Sequence, residues 1–321
     1  MKSFIKILLG ISLVTLLVGC GTSNSEEGSG DKLKVVTSFY PMYDFAKEIT
    51  ADKADISVLT ASGVEPHDYE PTAKDMAKIQ DADVFIYNSN DMETWVKDVL
   101  SSIDTSKVTV IEASKGIELM SGEREEDHDH EVDDDHNHEG EEGHDHSHAV
   151  DPHVWLDPVL AKKEVDNIKE GLIKADESNR DVYEKQTQVF QEQLDKLNEA
   201  FGDATKNAKE KKFVTQHMAF SYLAKRYGLT QIPISGLSPE IEPTPKELKK
   251  IEDLVKEENI NVIYTESSAS SKVAETIVSA TGVELSVLNP LESLSKQDIA
   301  NGENYISVMY QNLEHLKLSI K

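Results

Sequence analysis

The sequence predicts an α/β protein of two lobes, each with a mainly parallel sheet flanked by helices, joined by one long rigid helix. Two sets of four short β-rich runs, each alternating with amphipathic segments, predict the two sheets. Between the two sets, residues 178–209 contain no proline and carry apolar residues at helical spacing, which predicts the connecting helix. The chain has 321 residues, of which 38% are hydrophobic, and this is enough for two compact lobes.

The first 31 residues predict export and attachment to a membrane. Residues 1–19 have the charged start and short apolar run of a signal peptide, and the run is too short for a transmembrane helix. Residues 17–20 resemble a bacterial lipobox, in which the cysteine is lipidated and becomes the mature N-terminus. Cys20 is the only cysteine, so an internal disulfide is excluded. Residues 20–31 would then be the lipidated Cys20 and a flexible tether, and the alternative is an ordinary secretory peptide with a chance cysteine.

The first lobe is predicted to span residues 32–175. Its strand signals are runs rich in β-branched and aromatic residues, at residues 34–39, 55–59, 84–88 and 108–112. Its last helix is predicted to begin at Pro158, with Asp157 as the N-cap and Val165 and Leu172 on one apolar face.

An insertion at residues 121–150 interrupts this lobe and carries much of the charge. The formal net charge is −27, from 60 Asp and Glu against 33 Lys and Arg, and residues 123–148 alone hold 13 carboxylates and one arginine. The same stretch holds seven of the 11 histidines, namely His128, His130, His136, His138, His144, His146 and His148. A segment with so few apolar side chains is predicted to be a mobile surface loop. The overall acidity argues against a nucleic-acid partner.

The connecting helix is predicted to occupy residues 176–210 and to act as a spine between the lobes. Two helices with a break near Gly202 are the alternative. The second lobe is predicted at residues 211–321, with strands at residues 212–216, 231–235, 261–265 and 284–288 and a helix at 245–257 among the intervening segments.

Isolated polar residues follow several of these strands. His67 follows the second strand of the first lobe, His217 follows the first strand of the second lobe, and Glu266 and Glu292 follow its last two strands. His153 stands between two Asp-Pro pairs, just before a helix start. Since ligands of open α/β sheets bind beyond the carboxyl ends of the strands, these residues predict a metal site in the cleft between the lobes. Three imidazoles with one carboxylate suit Zn²⁺, whereas carboxylate-rich sites suit Mn²⁺ better.

Several of these segments resemble the zinc-binding lipoproteins of bacterial ABC importers, a family that also contains manganese binders. The resemblance rests on the lipobox, on residues 66–71, on residues 151–158 behind a histidine-rich insertion, and on Gln216-His217. It implies that His67, His153 and His217 are metal ligands and that Glu292 is the fourth. Glu266 or water are alternatives for the fourth ligand, and Glu266 could equally accept a hydrogen bond from the N–H of a ligating imidazole. Asp68 and Tyr69 are expected to brace the site or cap a turn rather than to bind the metal, and His315 is expected to have no metal role.

The predicted function is therefore a monomeric Zn²⁺-binding protein at the outer face of the bacterial cell membrane, anchored in lipid through Cys20. The resemblance implies that it passes Zn²⁺ to the membrane permease of an ABC importer and that it is not an enzyme. The seven histidines of residues 123–148 are predicted to be a metal-capture arm with weaker sites, against the alternative of a merely solvated loop. A manganese-binding protein of the same importer class, an extracytoplasmic zinc hydrolase and an adhesin remain open as other functions.

Overall fold

The computed structural model describes residues 32–122, 149–240, 242–266 and 270–321. The predicted signal peptide, the predicted anchor at Cys20, the tether and the seven-histidine segment 123–148 lie outside these ranges. Residues Leu33–Lys321 form one compact unit. Within the described ranges, no helix combines the length and the apolar character that a bilayer crossing requires.

The first sheet has four parallel strands in the order β2-β1-β3-β4. Each strand lies within one or two residues of its predicted position, and the strands are β1 (Leu33–Thr37), β2 (Ala54–Val58), β3 (Val84–Tyr87) and β4 (Thr109–Glu112). The helices between them are α1 (Tyr40–Thr50), α2 (Ala73–Gln80) and α3 (Val96–Ser102). All four residues of β3 are buried, as expected for a central strand covered on both faces.

A short antiparallel hairpin follows the first sheet. It consists of β5 (Met120–Ser121) and β6 (Val150–Asp151), with Met120 paired to Asp151. This hairpin was not predicted from the sequence, and Ser121 and Val150 were expected to lie in a loop. Strands of two residues carry no detectable periodicity, so the prediction failed at both ends of the insertion.

Two long helices connect the sheets. Helix α4 (Pro158–Ala175) begins as predicted, because the Asp157 side chain accepts a hydrogen bond from the Val159 backbone N–H at 2.9 Å. A 3₁₀ turn then leads into α5 (Arg180–Thr205), whose 26 residues span about 39 Å. Helix α5 continues through Gly202, so the structure has the single helix rather than two helices broken at that glycine.

The second sheet has four parallel strands in the order β10-β9-β7-β8. The strands are β7 (Lys212–Thr215), β8 (Thr230–Pro233), β9 (Val262–Thr265) and β10 (Glu284–Val287). The helices of this half are α6 (Ser221–Tyr227), α7 (Pro245–Glu257), α8 (Lys272–Thr281), α9 (Lys296–Ala300) and α10 (Tyr305–Leu316). Helix α7 has the predicted bounds because a Thr244–Glu247 capping box and Pro245 fix its start.

The hydrophobic core continues from one half of the molecule into the other. Helix α5 packs against α1 and α4 of the first half and against α6 and α10 of the second half. Its apolar stripe includes Phe190, Leu194 and Phe201, which are all fully buried. One cluster of buried side chains contains residues from both sheets, such as Val84 and Phe213. The two predicted lobes therefore share a core, and α5 lies along it as a spine.

Candidate metal centre

Four predicted residues meet at the strand ends of both sheets. His67 lies in the loop after β2, and His153 directly precedes a 3₁₀ turn at Val154–Leu156. His217 follows β7 by two residues, and Glu292 lies in the segment after β10. Parallel strands bring their carboxyl ends to the same edge of a sheet, which explains how residues so distant in sequence become neighbours.

One ligand atom from each of these four side chains points into a common centre. The Nε2 atoms of His67 and His217 lie 3.1 Å and 3.4 Å from the Nε2 atom of His153. The Oε1 atom of Glu292 lies 3.4, 3.2 and 3.3 Å from the Nε2 atoms of the three histidines, taken in chain order. No other group of three or more His, Cys, Asp or Glu side chains within the described ranges has this convergence.

These distances match the edges of a coordination tetrahedron. Zinc binds histidine nitrogen and carboxylate oxygen at about 2.0–2.2 Å, so the edges of a regular tetrahedron of such ligands measure about 3.3–3.6 Å. Five of the six edges are 3.1–3.4 Å long, close to this range. The four side chains are therefore arranged for a single small tetrahedral cation.

Two of the imidazoles are oriented by buried carboxylates on their far side. The Nδ1 atom of His153 lies 2.8 Å from Asp151 Oδ1, and the Nδ1 atom of His217 lies 2.5 Å from Glu266 Oε1. Because an ionised carboxylate only accepts hydrogen bonds, each Nδ1 carries the proton and donates it. In the neutral ring, Nε2 then presents its lone pair to the centre, as a metal ligand requires.

His67 and His153 share a local motif in which an acid and a proline precede the histidine. Glu65 Oε1 accepts a hydrogen bond from the His67 backbone N–H at 3.2 Å, and Asp151 Oδ1 accepts one from the His153 backbone N–H at 2.9 Å. The side chain of each acid thus folds over the following turn, as Asp commonly does two residues before a backbone donor. The two motifs differ at the ring, because only Asp151 also reaches an imidazole nitrogen.

The segment that carries Glu292 is held from two sides. The indole N–H of Trp155 donates to the Pro290 carbonyl oxygen at 2.8 Å, which links the segment to the one that carries His153. Leu291 is fully buried and has φ +61°, a left-handed conformation that is uncommon for a side chain of this size. Its backbone N–H donates to Asn289 Oδ1 at 2.8 Å, which helps to hold this turn.

Asn312 on α10 completes this support. Its Oδ1 accepts from the Asn289 backbone N–H at 2.8 Å, and its Nδ2 donates to the Asn289 carbonyl oxygen at 2.7 Å. Asn289 is therefore fixed by a pair of hydrogen bonds, and the turn that follows it directs Glu292 into the centre. The orientation of this carboxylate depends on α10, which lies outside the metal centre itself.

The electrostatics of the centre favour a bound cation. Burial alone would raise the pKa of the Glu292 carboxyl, but the facing imidazoles outweigh burial and hold its pKa well below 4.5. Burial would lower the pKa of His153, yet Asp151 and Glu292 beside the ring outweigh burial and raise it. Burial lowers the pKa of His67, which has the most exposed side chain of the four ligand candidates. No hydrogen bond from the described residues reaches either oxygen of Glu292. Buried charges in proteins are paired or coordinate metals, and this carboxylate faces the three imidazoles around the centre.

The remaining predicted residues lie apart from the centre. Glu266 is buried on the far side of the His217 ring, where it accepts from Nδ1. Asp68 is exposed, and the Tyr69 ring packs against Trp95 with centroids 5.8 Å apart. His315 lies at the second sheet, where its Nδ1 donates to a backbone carbonyl oxygen of β10 at 2.6 Å.

The role of Asp151 was not predicted from the sequence. The residue was visible in the Asp-Pro-His run, and its spacing of two residues from a backbone donor was a usable signal for the contact with the His153 N–H. The second contact, to the imidazole ring, had no such signal because it depends on the side-chain geometry of His153. The tie between Trp155 and Pro290 joins residues 135 positions apart, and no local pattern predicts it.

The fold and the buried centre define a class, the metal-binding solute receptors of ABC importers. The chain belongs to the family described as zinc-uptake complex component A, periplasmic, whose model matches residues 35–318. The predicted fold class and the resemblance to this family are thereby confirmed. The family consists of transport components, and the chain is not an enzyme.

Particular relatives agree with this family. The chain is 51% identical over 308 residues to the high-affinity zinc uptake system protein ZnuA of Bacillus subtilis strain 168, covering 95% of this chain and 94% of that protein. It is 46% identical to the zinc-binding lipoprotein AdcA of Streptococcus pneumoniae, covering 98% of this chain and 60% of that protein. The crystal structure of Zn(II)-bound AdcA from Streptococcus pneumoniae superposes with a TM-score of 0.75 at 43% identity, covering 90% of this chain and 57% of that one.

Proposed function

We propose that this protein is an extracytoplasmic, lipid-anchored zinc receptor that captures Zn²⁺ and delivers it to the permease of an ABC importer. His67, His153, His217 and Glu292 would be the four ligands. The observation that carries the proposal is the set of five ligand-to-ligand distances of 3.1–3.4 Å, which fit a zinc tetrahedron. The Zn(II)-bound state of AdcA supports the same cargo for this chain.

The donor set favours zinc over manganese. Three imidazole nitrogens and one carboxylate oxygen suit Zn²⁺. Mn²⁺ prefers a larger number of ligands, most of them oxygen atoms. His217 is the decisive residue, because the family resemblance gives the manganese binders a carboxylate at this position. The orienting contact from Glu266 favours the imidazole, since it keeps Nε2 directed inward.

Four protein ligands also suit a receptor that holds its cargo. Catalytic zinc sites keep one position open for water, whereas four protein ligands close the shell. Glu292 Oε1 lies as close to the histidine nitrogens as they lie to one another, which supports its role as the fourth ligand. Release of the ion would then need a change in the protein, and docking to a permease is the proposed trigger.

Metal analysis of the purified full chain tests the ligand assignment. Wild-type protein is expected to keep one tightly bound Zn²⁺ after dialysis against a weak chelator. Single replacements of a ligand, such as His67→Ala, His153→Ala, His217→Ala or Glu292→Gln, should each remove that ion or weaken its binding by at least about tenfold. His315→Ala is the matched control and should retain it. Full retention of zinc by any of the four ligand variants would contradict the assignment of that residue.

Metal competition tests the proposed selectivity. Wild-type protein is expected to bind Zn²⁺ in preference to Mn²⁺ when both are offered, and His217→Asp should shift the preference toward Mn²⁺ because it replaces nitrogen by oxygen. An unchanged ratio of zinc to manganese binding in this variant would show that His217 does not set the selectivity.

Anchoring and delivery are tested in cells. A labelled fatty acid should appear on the wild-type protein and be absent from Cys20→Ala. Growth at low zinc should depend on the protein and on the permease of the same importer.

Deletion of residues 123–148 tests the capture arm. If the seven histidines capture metal, the variant protein should keep its tightly bound ion, but cells that carry it should grow less well at low zinc. Unchanged growth of this variant would leave the segment as a solvated loop.

A further inference from the structure

Tyr222 is a buried residue of the second half that bonds to the hairpin of the first half. Its side chain lies on α6 and is 4% exposed. Its hydroxyl accepts a hydrogen bond from the Met120 backbone N–H at 2.7 Å and donates one to the Asp151 carbonyl oxygen at 2.7 Å. The hydroxyl therefore bridges the donor and the acceptor of two residues that are paired across the β5–β6 hairpin.

A single residue, Asp151, links this bridge to the proposed ligand His153. Asp151, whose carbonyl oxygen accepts from Tyr222, uses its side chain to hold both the backbone N–H and the Nδ1–H of His153. A shift of the Asp151 backbone would move its carboxylate, and with it the direction in which His153 Nε2 points. Outer-shell partners of metal-bound imidazoles commonly control affinity in this way.

A second contact from the second half holds the same hairpin. A Cβ atom on Gly122 would overlap the Leu237 side chain, so the hairpin backbone packs directly on this residue. Next to Leu237, the Gly236 carbonyl oxygen accepts a hydrogen bond from the Met218 N–H at 2.8 Å. Met218 is adjacent to His217. The hairpin thus contacts the second half at Tyr222 and at Leu237. The segment that carries Leu237 is bonded to Met218, which is next to the proposed ligand His217.

We infer that Tyr222 is a positioning residue for zinc binding: its hydroxyl fixes the β5–β6 hairpin and thereby the orientation of His153. The inference rests on the proposed zinc-receptor function. It gives the second half of the molecule control over a ligand that the first half supplies. Removing the hydroxyl would leave a partly buried donor and a buried acceptor without this partner, so the hairpin would shift to find new partners.

Tyr222→Phe tests the inference, because it deletes the hydroxyl and keeps the ring. Tyr183→Phe is the matched control, since the Tyr183 ring is also buried and its hydroxyl donates to Asp176 Oδ2, at the C-terminal end of α4, at 2.8 Å. Competition with a zinc chelator should show about three- to tenfold weaker binding for Tyr222→Phe and unchanged binding for Tyr183→Phe. Equal zinc affinity of Tyr222→Phe and wild type would overturn the inference.

A double-mutant cycle separates positioning from a general loss of stability. Asp151→Asn weakens the contact to His153, whereas Glu266→Gln weakens the contact to His217. If Tyr222 acts through Asp151, the effects of Tyr222→Phe and Asp151→Asn on zinc affinity will be less than additive. The effects of Tyr222→Phe and Glu266→Gln on the free energy of zinc binding will be additive. Full additivity in both cycles would show that Tyr222 does not act through Asp151, and the inference would be wrong.

Gly122→Val provides a test that keeps the hydroxyl in place, in case Tyr222→Phe does not fold. The new side chain must displace the hairpin or Leu237, so zinc binding should weaken as well. Wild-type affinity in Gly122→Val would count against control through the hairpin. A wild-type protein that fails to bind zinc would overturn the proposed function itself, which keeps the two failures distinct.

Discussion

Glu164 is a buried carboxyl group that is not part of the metal centre. It is fully buried on α4, and neither of its oxygens has a hydrogen-bond partner among the described residues. Burial, together with the nearby charges of Glu93 and Asp157, raises its pKa well above 4.5. The folded protein therefore holds a proton on Glu164 at pH values where the unfolded chain has released it. Folding stability must fall as pH rises through this window.

Replacing Glu164 by Gln should stabilise the protein, and more so at higher pH. The amide needs no proton to stay neutral, so the variant avoids a cost that grows by about 1.4 kcal/mol per pH unit above the unfolded pKa. We expect the stability of Glu164→Gln relative to wild type to increase from pH 5 to pH 7. Urea unfolding of chelator-treated protein at pH 5, 6 and 7 measures this difference.

The control for this measurement is Glu199→Gln on the outer side of α5. Glu199 is exposed, so its replacement should leave the pH dependence of unfolding as it is in wild type. A pH-independent difference between Glu164→Gln and wild type would mean that Glu164 is charged in the folded protein.

At the scale of single residues, the sequence predicted the four residues that meet at the centre better than the residues that support them. His67, His153, His217 and Glu292 follow strand ends or stand before a helix start, and those positions can be read from local patterns. Glu164 and Tyr222 owe their roles to contacts with residues far away in the chain. Their local sequence is that of ordinary helix positions, so only packing reveals them.

At the scale of elements, two helical glycines have opposite surroundings. Gly202 lies in α5 with open space where a Cβ atom would stand, whereas a Cβ atom on Gly171 of α4 would overlap the Ile111 side chain of β4. The first glycine costs the helix conformational entropy without any packing benefit, and the second permits α4 to approach the sheet closely.

The same substitution at these two sites should therefore have opposite effects. Gly202→Ala is expected to stabilise the protein by about 0.5–1 kcal/mol, because alanine is the better helix former. Gly171→Ala is expected to destabilise it by about 1–3 kcal/mol through overpacking against Ile111. Chemical unfolding of both variants under one buffer condition measures the signs. A destabilised Gly202→Ala would indicate that α5 needs flexibility at this position.

Strands and helices were predicted correctly from the sequence where hydrophobic runs of four or more residues were bounded by turn residues. All eight strands of the two sheets were found, and the start of α4 was marked by Asp157 and Pro158. The β5–β6 hairpin was missed because its strands have two residues each and its partner contacts come from Tyr222 and Leu237. A tertiary contact, and not a local pattern, gives that hairpin its place.

At the scale of the whole molecule, residues from both sheets share one hydrophobic core. The four side chains of the candidate metal centre come from both halves of that unit, and the segments that carry His153 and Glu292 are bonded through Trp155 and Pro290. Unfolding of one half would expose the shared core and break the centre at once. The two halves should therefore unfold together.

Zinc should raise the thermal stability of the whole unit in a single step. A ligand that binds only the folded state adds about 4 kcal/mol when its free concentration is about 1,000 times its Kd. Calorimetry of the zinc-loaded protein should show one transition at a higher Tm than that of the metal-free protein, and His153→Ala should show no such increase. Two transitions, of which zinc shifts only one, would mean that the halves unfold independently.

The spacing of the four candidate ligands along the chain has a further consequence for a protein that binds an ion there. His67 and His153 are 86 residues apart, and His153 and His217 are 64 residues apart, so a bound cation closes very long loops of chain. Gathering such distant side chains around one ion would cost an unfolded chain much conformational freedom, so only the folded protein holds the ion. In a protein with a single cysteine, bound zinc would thus act as a reversible cross-link. Handing the ion over would leave a chain that is easier to unfold and to cut with a protease.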